Sequence, residues 1–150
     1  MTLERLSFDT ITEELFEDMV KIEYNCGLEP FPPEMILADL KFQENWAFIE
    51  DGHIIAFITV SDEEGYYDGD LFIFNLNVCL EHRRKGLATE LIRKALSEHP
   101  ECGWMTLDVR KDNGKAMNLY RKLGFEKVDI PSLNGDSDIV MRADRNTILM

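Results

Sequence analysis

Residues 71–91 read LFIFNLNVCLEHRRKGLATEL. The first eight are apolar on both alternating sets, broken only by Asn75 and Asn77, as in a strand buried on two faces at the centre of a sheet. From Gly86 the period changes, and Leu87, Leu91, Ile92, Ala95 and Leu96 fall on one helical stripe. Arg83, Arg84 and Lys85 fill the turn between. A helix start presents unpaired N–H groups and the positive end of its dipole. Such a start attracts anions, and a glycine lets an anion approach the main chain closely. An anion seat is therefore expected at the amides of residues 84–89, with basic side chains around it. The spacings GxxxxGK[ST] and GxGxxG are both absent, so a plain charged strand-to-helix turn fits these residues as well.

Outward from this stretch the periods alternate. Residues 2–8 have strand alternation, and Thr10 with Glu13 resembles a capping box opening a helix through Ile11, Leu15, Phe16, Met19 and Ile22. A second helix is expected from Pro32-Pro33 through Ile36, Leu37 and Leu40. Asp51-Gly52 joins NWAFIE to HIIAFITV as a hairpin. After residues 71–91 come a strand (WMTLDVR, 104–110), a helix ending at Gly124, and two closing strands, EKVDIP and DIVMRA. The predicted order is β-α-α-β-β-β-α-β-α-β-β, an α/β fold of the α+β type with a mixed sheet flanked by helices. No linker or repeat divides the chain, so residues 1–150 are read as a single domain.

The bulk composition excludes several classes. A net charge of −13 is unsuited to nucleic acid or an anionic membrane, and it suits a cationic substrate such as an amine. The N-terminus lacks the basic and apolar regions of a signal peptide, so a cytoplasmic location is expected. Cys26, Cys79 and Cys102 are widely spaced without CxxC and read as reduced thiols. His53, His82 and His99 suggest neither an HxxxH pair nor a Cys/His cluster, and no metal is expected. No histidine has a position beside Cys79 that the sequence supports, which argues against an acyl-cysteine route.

A second segment, LDVRKDNGKAMNLYRKLGF (107–125), begins at the end of the neighbouring strand. Asn113, Ala116 or Met117, and Tyr120 recur at helical spacing and can line one face. Arg83-x-x-Gly86-x-Ala88 after a strand ending at Val78 resembles the (Arg/Gln)-x-x-Gly-x-(Gly/Ala) signature of the GNAT N-acetyltransferase superfamily. Asn113, Ala116, Leu119-Tyr120 and Gly124-Phe125 are similar to its second signature. Leu80 departs from the proline often found there, and Ala88 replaces a second glycine.

The resemblance implies the GNAT acyl-CoA N-acyltransferase fold and direct acetyl transfer from acetyl-CoA, a co-substrate, to an amine. Main chain at Leu76, Asn77 and Val78 would pair with the pantetheine arm. Arg83, Arg84, Lys85, Gly86, Leu87, Ala88 and Thr89 would form the pyrophosphate seat. Asn113 and Ala116 would lie on the pantetheine side, with Tyr120 near the thioester sulfur. Tyr120 would donate to the departing thiolate; on its residues alone, beside Leu119 and Leu123, it reads as a core aromatic. Asp108 stands where related N-terminal acetyltransferases carry an acidic residue and would act as base through a water; alternatively it caps a turn or pairs with Arg110 or Lys111.

Asn75, Asn77, Tyr67 and Glu23 are candidate substrate residues, with Tyr66, Asp68 and Asp70 completing an acidic-aromatic loop. The acceptor is a small-molecule amine or a protein N-terminus. By analogy a homodimer is plausible through the closing strands. A non-catalytic acyl-CoA-binding or sensing module on the same fold is the alternative, and a nucleotide-binding module is a third reading.

Overall fold

The computed structural model describes residues 1–25 and 30–150. Cys26 lies outside the described residues. The strands form one seven-stranded mixed sheet of order β1-β2-β3-β4-β5-β7-β6. These are β1 (Thr2–Leu6), β2 (Glu44–Glu50), β3 (His53–Ser61), β4 (Leu71–Val78), β5 (Trp104–Arg110), β6 (Glu126–Lys127) and β7 (Asp138–Asp144). The helices are α1 (Glu13–Tyr24), α2 (Pro33–Phe42), α3 (Leu87–Ser97), α4 (Gly114–Lys122) and α5 (Arg145–Leu149). The expected order is present, with a short 3-10 turn at Leu80–His82 and α5 as additions. Among the described residues, no helix is long and apolar enough to cross a membrane.

Two compact units divide the chain: Met1–Val60 with Asn75–Ala95, and Ser61–Phe74 with Leu96–Met150. In the first unit, β2 runs antiparallel to β1 and β3. Asp51 and Gly52 have φ of 53° and 79°, so both central residues of the hairpin are left-handed, as the Asp-Gly pair predicts. Helix α1 begins later than its sequence suggests. Thr12 is the cap, its hydroxyl accepting from Leu15 N at 3.2 Å, while Thr10 is held in a turn by its amide bond to Ser7 O. The capping-box reading of Thr10 and Glu13 is thus corrected: at Thr10 the backbone is still turning.

Glu13 and Glu14 in the first turn and Lys21 in the last complement the dipole of α1. Leu6, Met19, Ile22, Ile36, Leu40, Ala47, Ile54 and Phe57 form this unit's core. Each large side chain so buried is worth about 1.5–3 kcal/mol.

In the second unit, Leu71–Ile73 of β4 pair in parallel with Met105–Leu107 of β5. Strand β7 pairs antiparallel with β5 along its full length, from Trp104↔Asp144 to Arg110↔Asp138. Met105, Leu107 and Val109 are buried, opposite Ala143, Met141 and Ile139 in register. Gly124 ends α4 at φ 100°, and a Cβ there would run into the Thr147 side chain, so glycine is required twice over.

The closing strand expected at EKVDIP shrinks to Glu126–Lys127. Val128 still bonds Val140 O at 3.0 Å, but Pro131 has no N–H to give and residue 133 turns towards Tyr66. Helix α5 has no apolar period to announce it. It is capped by Asp144, and Arg145 Nη1 donates to the carbonyls of Leu96, His99 and Cys102.

Candidate active site

In the first unit, β4 ends at Val78, and Cys79 N donates to Ile55 O at 2.8 Å, keeping the chain on the sheet for one more residue. The 3-10 turn then lifts it out of the sheet. Arg83 folds back, its Nε donating to Val78 O at 3.1 Å. Arg84 takes φ of 65° and Gly86 φ of 78°, and α3 starts at the next residue with Leu87 buried. Nothing lies within 4 Å of a Cβ built on Gly86, so its left-handed backbone, not crowding, calls for glycine there.

Exposed Arg84 and Lys85 flank the first turn of α3, whose leading amides have no intrahelical acceptors. Leu87 points into the core, while Ala88 and Thr89 are half-buried. A helix start preceded by two exposed cations has the chemistry of a phosphate seat. Arg83 differs from expectation: its guanidinium is engaged with main chain and serves first to brace the turn.

Leu76 and Val78 alternate along β4 with Asn75 and Asn77, so the two pairs face opposite sides. The asparagines meet α1. Glu23 is only 3% exposed, and its Oε2 accepts from Asn75 Nδ2 and Asn77 Nδ2, each at 2.8 Å. Its Oε1 accepts from Phe31 N at 3.0 Å, and Asn77 Nδ2 also reaches Asn75 Oδ1. Three of the four candidate substrate residues therefore form a single network around a buried carboxylate held by neutral donors.

The fourth, Tyr67, is in the second unit with a different task. The Arg142 guanidinium lies 4.0 Å from the Tyr67 ring and 4.3 Å from that of Trp104. It donates to both oxygens of Asp70, at 2.8 and 2.9 Å, and Thr106 Oγ1 donates to Asp70 as well. Bonding to Asp70 raises the Arg142 pKa further above its ordinary value. The cation met by this acidic-aromatic loop is the protein's own arginine, which corrects the reading of Asp70 and Tyr67 as groups awaiting a cationic substrate.

Asp108 pairs with neither Arg110 nor Lys111. Its Oδ1 accepts from Tyr66 Oη at 2.6 Å and Ser132 Oγ at 2.7 Å, while Leu133 N donates to Tyr66 Oη. Arg110 binds Asp112 instead. Burial, then the hydrogen bond to Asp108, raises the Tyr66 pKa. Ser132 escapes sequence reading, because it lies 24 residues from Asp108 in an irregular segment.

Asn113 caps α4, its Oδ1 accepting from Ala116 N at 3.2 Å, so the pair proposed for the pantetheine side also starts this helix. Tyr120 is 8% exposed, with its ring centroid 5.6 Å from that of Phe125. Burial pushes its phenol up to about 12, which keeps the proton on it at neutral pH. An open cavity of about 330 Å³ in this unit is lined by Lys111, Lys127, Asp129, Ser132 and Asp138 among others.

Two sequence readings fail around the cysteines. Cys79, Glu81 and His82 bring three ligand-type atoms within 4.8 Å of one another, and His99, Glu101 and Cys102 do the same. Cys/His groupings therefore exist. A histidine also stands beside Cys79: His82 Nδ1 is 2.9 Å from Cys79 Sγ, and its Nε2 is 2.7 Å from Glu50 Oε2. The Cys-x-x-His spacing was legible in the sequence; the contribution of Glu50, 32 residues away from His82, was not.

The sequence model of the acetyltransferase (GNAT) family matches residues 11–125. An N-alpha-acetyltransferase of Sulfurisphaera tokodaii is 28% identical over 127 residues, which cover 76% of each chain. The [ribosomal protein bS18]-alanine N-acetyltransferase of Escherichia coli is 32% identical over 78 residues, 47% of this chain and 53% of that one. Thus the match spans about half the length of the latter enzyme. Among solved structures, PaiA N-acetyltransferase from Thermoplasma acidophilum in complex with coenzyme A superposes with TM-score 0.73 at 18% identity, covering 96% of this chain and 99% of that one. At that identity the likeness is one of fold.

Proposed function

The chain belongs to the GNAT family of acetyltransferases, and from that premise we propose that it transfers the acetyl group of acetyl-CoA to the α-amino group of a protein N-terminus. N-acetylation with acetyl-CoA as co-substrate is the family's chemistry; the acceptor is our own assignment. The observation that carries it is the Glu23–Asn75–Asn77 network, a buried carboxylate and two amides at the end of β4. An ammonium group needs an anion and hydrogen-bond acceptors to replace its water. Two of the relatives' names, an N-alpha- and a ribosomal-protein-alanine acetyltransferase, support the same choice, and a peptidyl-lysine N-acetyltransferase among the relatives is the reason the test carries an internal lysine.

In this proposal the 150 residues are one cytoplasmic acetyltransferase domain. Main chain at Leu76–Val78 pairs with the pantetheine arm, and the amides of residues 84–89 take the pyrophosphate, with Arg84 and Lys85 at its rim. Asn113 and Ala116 flank the donor. Tyr120, kept protonated by burial, stabilises the departing CoA thiolate by donating its O–H to it as a hydrogen bond. Asp108 takes the amine proton through a water on Oδ2, since Oδ1 is occupied by Tyr66 and Ser132. Positioning donor and acceptor together supplies the larger share of the acceleration, on the order of 7–11 kcal/mol when the geometry is right.

The test is a panel of peptides with free or formylated N-termini, each carrying an internal lysine, run beside a polyamine and an aminoglycoside while CoA thiol release is followed. Peptides with a free α-amine are expected to turn over and their formylated forms to stay inert. Faster reaction of the lysine or of either small amine than of every free N-terminus would overturn the acceptor assignment.

A further inference from the structure

Cys79, His82 and Glu50 lie in line in the first unit, and none of their side chains is given a role above. A carboxylate only accepts hydrogen bonds, so the 2.7 Å contact with Glu50 puts the ring proton on His82 Nε2. In the neutral ring this makes His82 Nδ1 the acceptor, and it is the atom 2.9 Å from Cys79 Sγ. Nucleophile, base and orienting acid thus stand in the relation that activates thiols and hydroxyls in acyl transfer. Cys79 and His82 are half-buried and the Glu50 side chain is 38% exposed, so the group is open to a small reactant. Burial, with the Glu81 carboxylate nearby, pushes the Cys79 thiol up. Cys79 therefore rests as a thiol, and its proton has to move as the new bond forms.

We propose that Cys79 is an acyl-acceptor site, S-acetylated by acetyl-CoA with His82 as the base and Glu50 as the residue that positions it. Cys79 Sγ attacks the thioester carbonyl, its proton passing to His82 Nδ1. The new Sγ–C bond forms, the C–S bond to CoA breaks, and the CoA sulfur leaves with the proton from His82. One thioester replaces another, so neither oxidant nor reductant is needed. The proposal uses the donor this family consumes and asks nothing of the acceptor assignment above.

The experiment follows intact mass and peptide maps of the full chain after incubation with acetyl-CoA, and separately with S-acetyl-N-acetylcysteamine. The second thioester lacks a diphosphate, so its reaction does not depend on the seat at residues 84–89. A Cys26→Ser/Cys102→Ser double variant leaves Cys79 as the sole thiol. Wild type and this variant are expected to gain one acetyl group on Cys79, removable by neutral hydroxylamine. His82→Ala should slow that gain by about a hundredfold, the lower range for a general base.

Glu50→Asp keeps a group that only accepts and should stay within about tenfold of wild type, whereas Glu50→Gln and Glu50→Leu, which free the tautomer, should approach His82→Ala. Melting curves confirm that each variant is folded; should His82→Ala not fold, Glu50→Asp against Glu50→Leu decides. Cys79 left untouched by both thioesters, or acetylated at equal rates in wild type and the His82 and Glu50 variants, overturns the proposal.

Discussion

Asp70→Asn removes the charge from a carboxylate that is 4% exposed and receives three donors: Arg142 Nε, Arg142 Nη2 and Thr106 Oγ1. The asparagine keeps the shape but turns one oxygen into an NH₂ that faces donors. Removing one partner of a fully buried ion pair costs about 3–5 kcal/mol. Arg142 keeps 24% of its side chain in water and can recover part of its hydration, so about 2–3 kcal/mol is expected here. In a chain of this length that lowers the melting temperature by roughly 5–10 °C.

Arg142→Leu should cost more than Asp70→Asn, because it strands the more deeply buried partner. The double variant should fall short of the sum by about 2 kcal/mol. Urea unfolding of the four proteins measures the cycle. A cost below about 0.5 kcal/mol for Asp70→Asn, the level of an ordinary surface change, or a coupling near zero, would refute the view that this arginine is the loop's own cation.

Tyr120 predicts an alkaline limb. Its phenol titrates near 10.0 when unfolded and about 12 in the fold, so the stability it lends is intact below pH 10 and is lost as pH rises from 10 to 12. That loss is about 2–3 kcal/mol at full extent. Tyr120→Phe should show a shallower fall of the urea midpoint through that window, and an unchanged slope would count against its burial. Glu23→Gln cannot satisfy Phe31 N, Asn75 Nδ2 and Asn77 Nδ2 in their present orientations and should destabilise by about 1–3 kcal/mol. It should also raise KM for the acceptor more than for acetyl-CoA; equal rises would argue that Glu23 is purely structural. Gly86→Ala sets a Cβ at φ 78°, a strain of about 1–2 kcal/mol. Calorimetry is expected to find acetyl-CoA bound about tenfold more weakly, and an unaltered Kd would detach this turn from the donor.

Local patterns determined most of the architecture. The apolar run of LFIFNLNV, the alternation in WMTLDVR, the helical stripe after Gly86 and the Asp51-Gly52 pair each follow from local composition, a residue's own backbone preference or a period of two or 3.6. The basic turn before α3 was legible for the same reason: strand end, glycine and helix start are contiguous in the chain. Even the true cap of α1, Thr12, missed by two residues, was a choice between neighbouring threonines.

What only tertiary structure decided is the partner of each polar group. Asp70 meets Arg142 across 72 residues, Glu23 meets Asn75 across 52, and Tyr66 meets Asp108 across 42. A charged or hydroxylated side chain has no periodicity that names its partner. Its bonds depend on which strands the sheet brings side by side and on the need to satisfy every polar atom taken out of water.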